Sequence, residues 1–417
     1  MHGKAPAVLQ ERYQTGDHTV MRQMNLSAIL HHLRENAPIS RATLADTTGL
    51  NKTTVSSLVG ELIDCQFVRE IGLLKSSSAG RRAVLLTLNP QAGCIVSGEV
   101  GVDFISVIAA DFASEIIWRH QDKIDPAMGQ AAIVQRAITL LRRAADEGRN
   151  SCGPLLGAAL GVPGLVDQAT GVLLFAPNLR WENVPVRAAL QQAFDVPVFV
   201  DNEANLAALG EHYFGAARGY QEVLYVSAGV GLGGGVVHAG QVCRGVTGMA
   251  GELGHMTMDP DGELCNCGNR GCWETQVSQQ ALLRWIKQAI DAGQASRLPQ
   301  LVNGDLRRLT VPAVTDAALD GDAVALEALD AIGHRLGIGI ASLVNALNPE
   351  LVVFGGILSL AWEFLLPAVG EEMQKRALRW NREATQVVLA RHGFDACVMG
   401  GVAVVLQGIL REPRRAS

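Results

Sequence analysis

The sequence predicts an α/β protein in two parts: a small helical head carrying a β-wing, and a large body of alternating strands and helices. Three observations predict it. Apolar residues recur at helical spacing three times before residue 65, and two short strand-like runs follow them. From residue 94 onward, strand-like and helix-like runs alternate. Charge divides the chain in the same place. Residues 1–90 hold 10 Lys and Arg against 7 Asp and Glu, a net of +3, while the other 327 hold 25 against 34, a net of −9.

A mildly basic head on an acidic body fits a DNA-binding module fused to something else. The net charge of −6 argues against a histone-like coat for nucleic acid. At 417 residues, two or three domains are expected, large enough to bury cores without a disulfide scaffold. No apolar run reaches the ~18–20 residues that span a bilayer, and the N-terminus lacks the apolar core of a signal peptide. A cytoplasmic protein with no membrane partner is expected.

Residues 1–20 are polar and read as a frayed tail; residues 21–90 read as a winged helix-turn-helix. Leu26, Ile29, Leu30 and Leu33 give a first helix, which Asn36-Ala37-Pro38 ends. Ser40 caps a second, and Thr48-Gly49-Leu50 turns the chain. Asn51 caps a third, with Val55, Leu58, Val59 and Leu62 facing inward. Phe67–Ile71 and Ala83–Leu88 are the wing strands, joined by the polar loop 75–82. The candidate DNA contacts are Arg41, Asn51, Lys52, Thr53, Thr54 and Ser57 around the third helix, and Arg81 and Arg82 on the loop. Short hydroxyl and amide side chains at a helix N-terminus reach base edges and phosphates, and arginines on a glycine-hinged loop suit a narrow minor groove. The competing use of such a head is protein interaction.

In the body, Cys94–Val102, Phe104–Asp111 and Glu115–Trp118 read as a meander, followed by a helix over 131–145 and a buried strand over 155–161. Further strands are expected at 198–200, 223–227, 233–238 and 351–354. Five of the eight cysteines are scattered and read as buried thiols. The other three follow His255 with spacing H-x9-C-x-C-x4-C: Cys265, Cys267 and Cys272. One imidazole and three thiolates make a closed tetrahedral set for Zn2+, with no position left for a catalytic water, so a structural zinc is expected.

The glycine run 227–235 follows a strand, and it suits either a phosphate cradle or a tight hairpin. Polar residues sit in turns between apolar strands: Asn178, Asn202, Glu203, Glu252, His255 and Glu274. Carboxylates and amides converging on a cleft are what sugar hydroxyls require, since each hydroxyl donates and accepts. Asn202 also precedes a helix, so capping is its alternative role.

Four motifs together resemble the ROK family (repressors, open reading frames and kinases). They are Gly161-Val-Pro-Gly-Leu-Val-Asp167, Asp201-Asn-Glu-Ala-Asn205, Gly248-Met-Ala-Gly-Glu-Leu-Gly-His255 and Cys265-Asn-Cys-Gly-Asn-Arg-Gly-Cys-Trp-Glu274. The winged head and Gly80-Arg-Arg-Ala-Val-Leu-Leu86 resemble the repressor branch, xylose-type repressors above all. The resemblance implies a two-lobed, actin-like, sugar-kinase-like body of ribonuclease H-like lobes, usually dimeric or tetrameric. Its lobes would fall at 91–201 and 202–395, with a C-terminal helix over 396–417 packing back on the body. It implies sugar contacts at Asn178, Asn202, Glu203, Glu252, His255 and Glu274, and zinc ligands at His255, Cys265, Cys267 and Cys272.

Three departures separate the chain from the family's kinases. Glu203 stands where they carry an Asp general base. Glu99-Val-Gly-Val-Asp-Phe-Ile-Ser106 replaces their Asp-x-Gly-Gly-Thr-Lys phosphate loop, and Val230 replaces the Thr of Gly-Thr-Gly. A phosphoryl donor needs hydrogen-bond donors at each phosphate, and a carboxylate displaced by about 1 Å can cost ~100-fold. The expectation is a sugar-responsive regulator of operator DNA, most simply a repressor, and not an enzyme. The alternatives are an active ATP-dependent sugar kinase with an added head, and a DNA-bound platform that senses a partner protein through its zinc loop.

Overall fold

Leu26, Ile29, Leu30 and Leu33 form the buried stripe of the first helix, α1 (His18–Asn36). The structure is a computed structural model, and it describes residues 18–73 and 83–411. Ser40, at the end of the two-residue strand β1 (Ile39–Ser40), caps α2 (Arg41–Thr48) by accepting from Thr43 N at 3.1 Å. Gly49 takes φ +70° and turns the chain out of α2. Asn51 caps α3 (Lys52–Asp64), accepting from Thr54 N at 2.7 Å, and Val55, Leu58, Val59 and Leu62 are buried beneath it. The strands β2 (Val68–Leu73) and β3 (Val84–Leu88) pair antiparallel, and β3 is the centre of the sheet β1-β3-β2. The head is a winged helix-turn-helix. The tail 1–17 and the loop 74–82, with Arg81 and Arg82, lie outside the described residues.

The chain divides into two units. One is Met1–Ala92 with Leu406–Ser417, the other Gly93–Val405. Of α13 (Ala396–Arg411), the residues up to Val405 fall in the second unit and those from Leu406 in the first.

The body is one plan used twice. In the first lobe β4 (Cys94–Val100), β5 (Phe104–Asp111) and β6 (Ile116–Lys123) form an antiparallel meander. After α4 (Gln130–Cys152), β7 (Leu155–Val162) joins β4 in parallel. Next come a small antiparallel sheet of β8 (Leu165–Asp167), β9 (Val172–Ala176) and β10 (Trp181–Val184), and then α5 (Val186–Ala193). Last, β11 (Val198–Asn202) completes the order β11-β7-β4-β5-β6.

After α6 (Glu203–Phe214), the second lobe repeats the meander with β12 (Val223–Ala228), β13 (Leu232–His238) and β14 (Gln241–Val242). The helices α7 (Gln279–Asp291), α8 (Leu298–Leu301), α9 (Val311–Leu319) and α10 (Ala323–Leu347) precede β15 (Leu351–Gly355), which is parallel to β12. Then α11 (Trp362–Arg376), α12 (Arg379–Ala384) and β16 (Gln386–Leu389) close the order β14-β13-β12-β15-β16. Each sheet is thus a three-stranded meander extended by two parallel strands, and each lobe has its own apolar core.

Helices α6 and α13 cross almost in backbone contact. A side chain at Gly400 would meet Leu206 O at 1.7 Å, and one at Gly210 would meet Ala396 O at 2.4 Å. The apolarity of α13 comes from this burial. Gly393–Arg411 is long and apolar enough to cross a membrane, which corrects the expectation that no run is, but 67% of its span-length window is buried. Two of the five scattered cysteines, Cys65 and Cys243, are exposed, contrary to expectation.

Candidate functional site

A cleft of about 160 Å³ opens in the body, and all six expected sugar-facing residues line it. Strand ends and turns bring them there. Asn178 follows β9, and Asn202 ends β11. Glu203 begins α6, while Glu252, His255 and Glu274 come from the segment between β14 and α7. Asn202 does both jobs considered for it. Its Oδ1 accepts from Ala204 N at 2.8 Å and Asn205 N at 3.1 Å, capping α6. Its Nδ2 donates to Gly164 O at 3.1 Å and to Glu203 Oε2 at 3.0 Å. The helix N-terminus therefore sets the angle of the amide facing the cleft.

Glu274 is 9% exposed and accepts from Leu232 N at 3.2 Å and from Asn178 Nδ2 at 3.4 Å. Asn266 Nδ2 donates to Asn178 Oδ1 at 2.9 Å. The glycine run is a hairpin between β12 and β13, closed by Gly229 N to Gly231 O at 2.8 Å. Its glycines make room for the polar set: a side chain at Gly231 would strike Glu274 Oε2 at 2.2 Å and Asn178 Nδ2 at 2.8 Å.

The cleft is acidic. Glu99, Glu203, Glu252 and Glu274 line it, with no Lys or Arg among the lining residues. Burial pushes the Glu203 carboxyl well above the usual range, and the charges of Glu252, Glu99 and Asp201 add to it. Burial also raises Glu252, with His255 opposing, and raises Glu99 to about 7. The buried thiol of Cys397, at the start of α13, hydrogen-bonds Glu99; burial and the neighbouring Glu99 and Glu203 push that thiol up.

His255, Cys265, Cys267 and Cys272 come together with their ligand atoms all within 4.8 Å of one another. Cys265 Sγ lies 3.7 Å from His255 Nδ1, and Cys267 Sγ lies 3.7 Å from Cys272 Sγ. Ligands about 2.3 Å from a shared ion at tetrahedral angles stand about 3.8 Å apart, so the cluster fits a metal of zinc's size. The two nitrogens of His255 divide its expected duties. Nδ1 faces the thiols, whereas Nε2 lies 4.0 Å from Glu252 Oε2 on the cleft side. Cys265 Sγ also reaches Glu274 Oε1 at 3.2 Å.

On the head, Asn51, Lys52, Thr53, Ser56 and Ser57 are exposed along one face of α3, and Thr54 is half-buried. Arg41 is tied to Glu70 of β2 at 2.9 Å. Ser56, which the sequence pattern puts on the same polar face but outside the expected contact set, is exposed there as well.

Sequence reasoning missed a clasp beside the cleft. Asp201, 4% exposed, accepts from Gln168 Nε2 at 2.7 Å and its own neighbour Asn202 N at 2.8 Å, and pairs with Arg244 Nη2 at 2.6 Å. Asp201 stands in a recognised motif, but nothing in the sequence marks Arg244 as its partner. Glu99 and Phe104 belong to the cleft as well. They had been weighed only as a damaged phosphate loop.

The head matches the winged helix-turn-helix DNA-binding family over residues 25–69. The chain is 35% identical to the xylose repressor of Caldicellulosiruptor bescii, over 96% of this chain and 100% of that one. Among solved structures it is similar to a ROK family transcriptional regulator homologous to the E. coli MLC protein, with TM-score 0.80 and 27% identity over 94% of this chain and 97% of that one. It is also similar to a ROK family glucokinase from Streptomyces griseus in complex with glucose and AMPPNP, with TM-score 0.68 and 29% identity over 76% and 100%. The body matches the ROK family over residues 95–408, and with its duplicated sheets, polar cleft and His–Cys cluster the chain belongs to the ROK family.

Proposed function

We propose that the protein is a cytoplasmic, sugar-responsive repressor that binds operator DNA through α3 and its wing, and releases it when a sugar enters the body cleft. The observation that carries this reading is the union, in one chain, of an exposed hydroxyl-and-lysine helix face with a cleft where Asn178, Asn202, Glu203, Glu252, His255 and Glu274 converge. The relatives named xylose repressors favour xylose as effector and repression as the sign.

A dimer or tetramer would present paired heads to a palindromic operator. Sugar would favour one closure angle of the two lobes and so change the spacing of the heads; it shifts that equilibrium only by its differential affinity for the two states. His255 Nδ1, Cys265, Cys267 and Cys272 would hold Zn2+, pinning the segment that carries Glu252 and Glu274.

Kinase activity is not part of this reading. Glu203 is one methylene longer than an Asp base, Val230 carries no hydroxyl, and the cleft lining holds no Lys or Arg for a phosphate. A coupled ADP-release assay should show no sugar-dependent turnover; turnover abolished by Glu203→Gln would reinstate the kinase. The reading itself is tested by calorimetric titration with xylose, glucose and N-acetylglucosamine. Saturable heat from at least one is expected, and no heat from any would refute sugar sensing.

A further inference from the structure

One wall of the cleft is apolar, in contrast to the polar set of Asn178, Asn202, Glu203, Glu252, His255 and Glu274. Gly101 N donates to Phe104 O at 2.8 Å, closing a tight turn between β4 and β5. That turn lays the Phe104 ring on Gly101: a side chain at Gly101 would sit 2.2–2.6 Å from three ring carbons. The ring, only partly buried, is the one benzenoid face among the lining residues, and the half-buried Val102 and Pro163 continue its apolar wall. Glu99 forms the polar edge, hydrogen-bonded to Cys397.

Such a wall does not suit a phosphate. It offers no cation to pair with an anion. It does suit an uncharged group with an apolar face, because sugar rings and aryl groups pack their C–H or ring faces on aromatic carbon. Water alone against this wall would leave the Phe104 ring and Val102 wet.

We infer that the cleft takes a neutral glycoside, with one sugar unit on the hydroxyl-reading residues and its uncharged substituent, a second sugar or an apolar aglycone, against Phe104. This rests on the sugar-binding reading above and narrows it. Phe104 would then set which sugar derivatives act as effectors.

Calorimetry with the full-length protein tests it, using xylose, xylobiose, 4-nitrophenyl β-xyloside, xylose 5-phosphate and a non-hydrolysable ATP analogue, with the matching glucose series alongside. The disaccharide or aryl glycoside should bind about tenfold tighter than its parent monosaccharide, a gain of the size aromatic contacts supply. The two substituents tell a second sugar from an aglycone. In Phe104→Ala, and in the milder Phe104→Leu if the first folds poorly, the ratio of the two affinities should fall toward one. If monosaccharides bind and neither glycoside binds tighter, the inference is wrong and the sugar reading stands. Tighter binding of the sugar phosphate or the nucleotide also overturns it. If no carbohydrate of any kind binds, the sugar reading fails with it.

Discussion

Glu99 shows how far single residues could be read from sequence. Its place in a strand and its departure from a phosphate loop were legible. Its partner was not, because Cys397 lies almost 300 positions away and only the packing of α13 brings the two together. The His–Cys cluster was legible because four metal-ligating residue types within eighteen residues leave few sensible arrangements. Arg244 could not be paired with Asp201 from sequence, since an isolated arginine in a glycine-rich segment carries no pattern. Two predictions belong at this scale. Burial raises the Glu99 pKa to about 7 from an ordinary 4.5. The folded protein therefore holds a proton there that the unfolded chain releases, and stability must fall as pH rises from about 4.5 through 7. Relative to Glu99→Gln, the wild type should lose on the order of 1–3 kcal/mol across that window, read from paired urea melts; parallel pH profiles would contradict it. Cys267→Ser should lower bound zinc from near stoichiometric to a small fraction by elemental analysis. Undiminished zinc would remove Cys267 from the ligand set.

Elements whose sequence pattern is local were readable, except that the first helix starts at His18, inside the stretch 1–20 read as a frayed tail. The three head helices show their period and their caps, Ser40 and Asn51, in short windows, and the structure places both caps as read. The small sheet β8–β10 and the strand β16 went unseen, because they are three to five residues long with little alternation. The edge strand β6 was read four residues long and is eight, since its outer half is polar on both sides of the pattern. Asn51→Ala should cost the head about 1 kcal/mol through the lost cap, measured by denaturant melting. A null effect would mean that water satisfies Thr54 N equally well. The α6–α13 crossing is stricter. Gly400→Ala puts a methyl 1.7 Å from a backbone oxygen that cannot rotate away. It should destabilise the body by more than about 2 kcal/mol, and a neutral substitution there would show that the two helices can separate freely.

At the scale of the whole molecule, the charge division and the two-part pattern pointed to a head and a body, and the strand–helix alternation to two α/β halves. The sheet orders came only with the structure, because parallel pairing joins strands separated by whole helices and leaves no local trace. Each lobe carries its own core, so residues at the cleft can change while both sheets stay intact. On the proposed reading, occupancy of this cleft governs the grip of α3 on DNA. The most direct test is operator affinity, by fluorescence anisotropy on a duplex selected from a random pool, with and without saturating xylose or whichever carbohydrate calorimetry identifies. Affinity should drop at least about tenfold, a coupling free energy of roughly 1.4 kcal/mol, and Glu252→Ala should abolish the drop. Equal affinity with the cleft filled and empty would contradict it.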